Sequence, residues 1–144
     1  MTIFLDTSSL FKLYFQEDGS TELDQLFDLQ FIEQVYLSGL ATVEFRSIIW
    51  RKVRMNEITA EQAALLLNAF DADYATYTLI PTDDSLLELS RQLLDKYGQR
   101  GLRSLDAIQL ASAISIKHDV QLFKTADNLL NTFFIAEALP VSIE

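Results

Sequence analysis

Residues 2–6 read Thr-Ile-Phe-Leu-Asp and run directly into Thr7-Ser8-Ser9. Three consecutive apolar residues without polar alternation fit a strand covered on both faces. The acid and the hydroxyl cluster then end it. The pattern recurs at Gln34–Ser38 (QVYLS), followed by Gly39, at Tyr77–Pro81 (YTLIP) and at Val120–Lys124 (VQLFK). The proline of the third run stops its ladder. A weaker stretch around Leu139–Ile143 is expected to add a fifth strand at one edge. Helical periodicity fills the intervals. Leu10, Leu13 and Tyr14 give a short helix. Leu23, Leu26 and Phe27 give another behind Ser20. Val43, Phe45, Ile48, Ile49 and Val53 share one face. Thr59-Ala-Glu-Gln62 is a capping box before Ala63, Leu66, Leu67 and Phe70. Leu86, Leu87, Leu89, Leu93 and Leu94 end at Gly98, expected as the glycine that closes the helix. Ser104 is expected to cap the helix holding Leu105, Ile108, Ala111 and Ile116. Strands alternating with helices mean right-handed βαβ units. The expected class is α/β, with a mostly parallel four- to five-stranded sheet flanked by helices on both faces.

The chain has 144 residues, 49% of them hydrophobic, with only four glycines and two prolines. One domain spanning 1–144 is expected at this size. The absence of cysteine excludes a disulfide framework, a thiolate metal site and a cysteine nucleophile. The longest uncharged runs, 34–43 and 107–116, are ten residues each, against the 18 or so a membrane helix needs. The N-terminus lacks the basic start of a signal peptide. A soluble cytoplasmic protein with no membrane association is expected.

In open α/β sheets ligands bind beyond the carboxyl ends of the strands. Asp6 ends the first strand. Glu44 lies in the first turns of the helix after the second. Asp127 follows the fourth in Thr125-Ala126-Asp127. Asp106 lies in the first turn of the helix before the fourth strand. If these acids converge on one rim, they cannot all stay ionised without a cation, because like charges raise each other's pKa. Hard oxygen donors select Mg²⁺ or Mn²⁺. Such ions activate water and stabilise charge on a phosphoryl group, which is the chemistry of phosphodiester hydrolysis. Each acid also has a plain reading: a strand-end Asp is commonly a helix cap, and Asp106 suits a helix N-terminus through the macrodipole. Glu44 is the sharpest of the four, because its neighbours Ala41, Val43, Phe45 and Ile48 suggest burial.

Four blocks resemble the motifs of PIN-domain nucleases: LDTSSL at 5–10, ATVEFRS at 41–47, LRSLDAIQLASAI at 102–114 and FKTADNLL at 123–130. Order and spacing agree over nearly the whole chain, and the third block is the most specific. The chain is most similar to the VapC-type toxins of toxin–antitoxin pairs. The resemblance implies a Mg²⁺- or Mn²⁺-dependent ribonuclease whose acids are Asp6, Glu44, Asp106 and Asp127. It implies metal ligands at Asp6, Asp106 and Asp127, a hydroxyl partner at Ser8, and a Glu44 that ligates the metal or orients water. Ser8, Arg46, Arg103 and Thr125 are expected to meet the RNA. A homodimer and a cognate antitoxin protein are also implied.

Other chemistries find less support. The lone His118 sits at a helix end and supplies no triad. The four glycines form neither a P-loop nor a dinucleotide fingerprint. A receiver-like signalling domain usually carries adjacent acids after its first strand, and a dehalogenase-like phosphatase carries Asp-x-Asp there; Asp6-Thr7-Ser8 has neither. A degenerate PIN domain that only binds is the remaining alternative. The net charge of −10, from 11 basic and 21 acidic residues, argues against broad charge-driven binding to nucleic acid. Yet residues 45–54 hold Arg46, Arg51, Lys52 and Arg54 with no acid, and residues 89–105 hold Arg91, Lys96, Arg100 and Arg103 against Asp95 alone. These stretches flank Glu44 and Asp106 in sequence. They are expected either to steer phosphates toward the acids or to form ordinary solvated helix faces.

Overall fold

The structure, a computed structural model, describes residues 1–143; Glu144, the last residue of the expected domain, lies outside the described residues. Elements follow one another as β1 (Thr2–Leu5), α1 (Thr7–Lys12), α2 (Ser20–Leu29), β2 (Gln34–Ser38), α3 (Leu40–Arg54) and α4 (Ala60–Asp73). After a 3₁₀ turn at Tyr74–Thr76 come β3 (Tyr77–Ile80) and α5 (Asp84–Tyr97). After a second at Gly98–Arg100 come α6 (Ser104–Ser115), β4 (Leu122–Lys124) and α7 (Asn128–Ala136). The sheet order is β3-β2-β1-β4 and every pairing is parallel. The α/β expectation is met, with four strands among the described residues.

Period-two alternation splits the core between the two faces of the sheet. Phe4 faces one cluster with Ile80, Leu93, Leu110, Phe123 and Phe134, drawn from α5, α6 and α7 as well as the sheet. Ile3 and Leu5 face the other, with Leu37 of β2 and Leu10, Phe45, Ile49 and Phe70 of α1, α3 and α4. Phe45 and Phe70 stack with ring centroids 4.5 Å apart, fixing α3 against α4 just behind Glu44. The capping box forms as the sequence predicts: the Thr59 hydroxyl accepts from the Gln62 backbone, and the Gln62 side chain accepts from the Thr59 N–H.

Several boundary expectations need correction. β4 begins at Leu122, not at Val120, α1 ends at Lys12, short of Leu13 and Tyr14, and α6 ends at Ser115, short of Ile116. Residues 139–143 are not a strand; the Phe123 N–H on the outer edge of β4 donates to the Pro140 carbonyl at 2.8 Å, so irregular chain covers that edge. Gly98 does not close α5 in a left-handed turn. It stays right-handed at φ −57°, the helix tightens into the 3₁₀ turn, and Gly101 takes the positive φ of 102°. Ser104 is the first residue of α6, whose flanking position is Arg103 without a side-chain cap.

Candidate functional site

The chain leaves β1 for β2 on one side and returns through β4 on the other, so the sheet order reverses between β1 and β4. The carboxyl ends of these two strands therefore open onto the crevice where doubly wound sheets place ligands. Asp6 follows β1 and Thr125 follows β4, and the Thr125 hydroxyl donates to Asp6 Oδ2 at 2.6 Å. Asp6 is also the N-cap of α1, accepting from the Ser9 N–H at 2.9 Å. The Ser8 hydroxyl lies 2.8 Å from both Asp6 oxygens, and Ser8 Oγ accepts from the Ala126 N–H at 3.0 Å. Ser8 and Thr125, expected near the substrate, thus bracket the first acid and tie the ends of β1 and β4 together. Asp6 is only 4% exposed. Burial pushes its carboxyl up to about 6, although the Thr125, Ser9 and Ser8 hydrogen bonds hold it down.

Glu44 sits one turn into α3, directly before buried Phe45. Its Oε1 accepts from the Thr7 hydroxyl at 2.7 Å and from Gln109 Nε2 at 2.8 Å. Gln109 Nε2 also donates to Thr7 Oγ1 at 2.9 Å. Three helices are thereby joined by one triangle of side chains. Gln109 is 3% exposed, and its carbonyl oxygen Oε1 is buried without a partner; such an orphan costs about 1–3 kcal/mol. Neither Thr7 nor Gln109 was among the candidate residues. The available signal was spacing: Gln109 is a polar residue within an apolar run, three positions after Asp106 and so on the same helix face.

Asp106 lies in the first turn of α6, half-buried. Its carboxyl is pushed up first by burial, then by the negative charge of Asp127; Arg103 pulls it down and Glu44 pushes it up further. Asp106, Asp127, Glu44 and Arg103 therefore share one electrostatic neighbourhood. Asp127 is exposed and caps α7, accepting from the Leu130 N–H at 2.7 Å through Oδ1. Arg46 is turned elsewhere: its guanidinium donates to both oxygens of Asp71 at 2.9 Å, beside Tyr74 rather than among the acids. Much of the basic charge that flanks the acids in sequence is likewise compensated in space. Lys52 pairs with Glu57, Arg91 with Glu88 and Lys96 with Glu137.

The donor set at the rim is all carboxylate and hydroxyl oxygen, which suits a hard divalent cation. Among the described residues no group of three or more Asp, Glu or His side chains lies close enough together to form a closed protein cage. Mg²⁺ does not need one, since it keeps several waters and is typically held by one or two carboxylates plus phosphate oxygens. The raised carboxyls of Asp6 and Asp106 are the expected signature of acids that a cation would help to ionise. Beside the rim, a cleft of about 460 Å³ runs between α1, α2 and β4, sharing Ser9, Thr125 and Ala126 with it.

The fold is a small parallel α/β domain with a buried acid, Asp6, at its switch point. Residues 3–132 match the family model of the PIN domain. The chain is 32% identical over 130 residues to Ribonuclease VapC47 of Mycobacterium tuberculosis (strain CDC 1551 / Oshkosh), covering 89% of this chain and 86% of that protein. The crystal structure of M. tuberculosis VapC20, a sarcin-ricin loop cleaving toxin, superposes with a TM-score of 0.68 at 17% identity, covering 91% of this chain and 94% of that one. A toxin–antitoxin complex from Klebsiella pneumoniae gives a TM-score of 0.59 at 20% identity, covering 87% and 86%. The chain belongs to the PIN-domain family. Among the described residues no helix is long and apolar enough to cross a membrane.

Proposed function

We propose that this chain is a divalent-metal-dependent endoribonuclease and the toxin of a type II toxin–antitoxin pair. The observation that supports it most is Asp6, buried where β1 ends and hydrogen-bonded to Thr125 where β4 ends; Asp106, raised by burial and by the charges of Asp127 and Glu44, fits the same reading. Membership of the PIN family, the ribonuclease relative and the toxin–antitoxin complex among similar structures support it.

Asp6 and Asp106 are the residues that would hold Mg²⁺ or Mn²⁺, with Asp127 contributing its free oxygen directly or through water. A bound divalent cation supplies activation of water and neutralisation of charge on the phosphoryl group. Glu44, with Oε1 occupied by Thr7 and Gln109, has Oε2 left to orient the attacking water. Attack at phosphorus with loss of the 3′-oxygen leaves 5′-phosphate and 3′-hydroxyl ends. Arg103, whose charge already reaches Asp106, is the cation to meet the phosphate in this reading, while Arg46 would have to release Asp71 first.

The partners in this reading are RNA, an antitoxin and a second copy of the chain, in the cytoplasm. Val43 and Trp50, exposed and seven positions apart on α3, offer the apolar surface for a homodimer. Incubation of the purified protein with structured RNA and Mg²⁺ or Mn²⁺ should give discrete cuts that EDTA abolishes. RNA left intact in every condition, or cut equally in EDTA, refutes the assignment.

A further inference from the structure

Gln109 has no place in the four-acid scheme, yet it is the most enclosed polar side chain at the rim. Its amide nitrogen faces two acceptors at once, Thr7 Oγ1 at 2.9 Å and Glu44 Oε1 at 2.8 Å, which share its N–H donation. Its carbonyl oxygen is buried and receives nothing. A leucine of similar size would remove that unpaired acceptor. The amide is therefore a poor choice for the core alone. What it provides is directional: with the Thr7 hydroxyl it delivers two hydrogen bonds to a single oxygen of Glu44. A carboxylate gripped at one oxygen by groups from two other helices loses its rotation about the terminal torsion. Its second oxygen takes no part in the triangle.

We propose that Gln109 is a positioning residue that, together with Thr7, fixes the rotamer of Glu44. The assignment rests on the ribonuclease reading only for its effect on rate; the clamp itself stands on the geometry.

The test combines kinetics with side-chain NMR of the metal-free protein. Under single-turnover conditions Gln109→Leu should slow RNA cleavage at least about tenfold, since small misplacements of a catalytic group are costly. Half-saturation should stay within about twofold. Thr7→Ser should retain the rate, and Thr7→Val should lose it. In an Glu44→Gln background, Gln109→Leu should change the rate by less than about twofold, because the residue it positions has already lost its charge. An equal loss in both backgrounds marks a merely structural residue and overturns the proposal. Without metal, exchange of the Gln109 side-chain amide protons should be slow and should accelerate at least about tenfold in Glu44→Ala. No acceleration overturns the clamp whatever the kinetics. Absence of cleavage by the unsubstituted protein with a protected, Glu44-dependent amide would fail the ribonuclease reading while upholding the clamp.

Discussion

Replacing Asp6 by Asn should make the protein more stable at neutral pH while removing an acid from its candidate site. The magnitude follows from burial. The Asp6 carboxyl is pushed up to about 6 in the fold, against about 3.9 in an unfolded chain. Because the folded pKa is the higher one, the neutral acid costs nothing below the unfolded value. Stability is then lost as pH rises from about 4 through 6. At about 1.4 kcal/mol per pH unit, the full loss above pH 6 is about 3 kcal/mol. Asparagine removes this cost and keeps the N-cap acceptor for Ser9. Its amide nitrogen faces the Ser8 and Thr125 hydroxyls, which must rearrange at a cost of about 1 kcal/mol. The net gain at pH about 7.5 is then about 2 kcal/mol, or roughly 6 °C in Tm for a chain of this length. At pH about 4.5 wild-type Asp6 is neutral in the fold and the remaining gain, about 1 kcal/mol, is offset by the rearrangement. Thermal unfolding of both proteins in EDTA at the two pH values checks this. A variant no more stable than wild type at pH about 7.5, or a gain that does not shrink on acidification, would refute the reasoning.

Three further outcomes are expected. Asp106→Asn should abolish metal-dependent cleavage with an unchanged far-UV spectrum, and should weaken Mn²⁺ binding measured by calorimetry. Phe45→Ala removes a fully buried ring stacked on Phe70 and should cost about 3–5 kcal/mol in denaturant unfolding; a loss below 1 kcal/mol or so would mean that α3 and α4 repack. Ala138 follows α7 at φ 59°, a region where alanine is strained, so Ala138→Gly should raise stability by about 0.5–1 kcal/mol.

The sheet was legible in the sequence because its strands are short apolar runs with abrupt polar ends. Gln34–Ser38 is bounded as the residues predict, and the Thr59–Gln62 box is a local device that needs nothing distant to form. Asp6 and Asp106 were legible for a related reason: a strand end and a helix first turn define their positions. Thr7 and Gln109 were not, since their roles depend on three helices meeting, and no local pattern encodes that. Gly98 misled because a helix can tighten into a 3₁₀ turn before it reverses, which moves the left-handed residue to Gly101. For the basic stretches the sequence left two readings open, and the pairs made by Arg46, Lys52, Arg91 and Lys96 favour ordinary helix faces for those four. Charge density along the chain ignores partners such as Asp71 and Glu137, which come from distant segments and cancel much of it.

The irregular chain at the outer edge of β4 bears on how the protein behaves in a crowded solution. An open strand edge invites another molecule to add its own strand, which is a route to aggregation. Here the Phe123 N–H is already taken by Pro140, and proline has no N–H with which to extend the ladder. The segment acts as a terminator: it occupies the edge and offers no proline N–H for a further strand. Substitutions that loosen residues 139–143 should therefore show first as self-association at high concentration, before any change in the fold or the crevice.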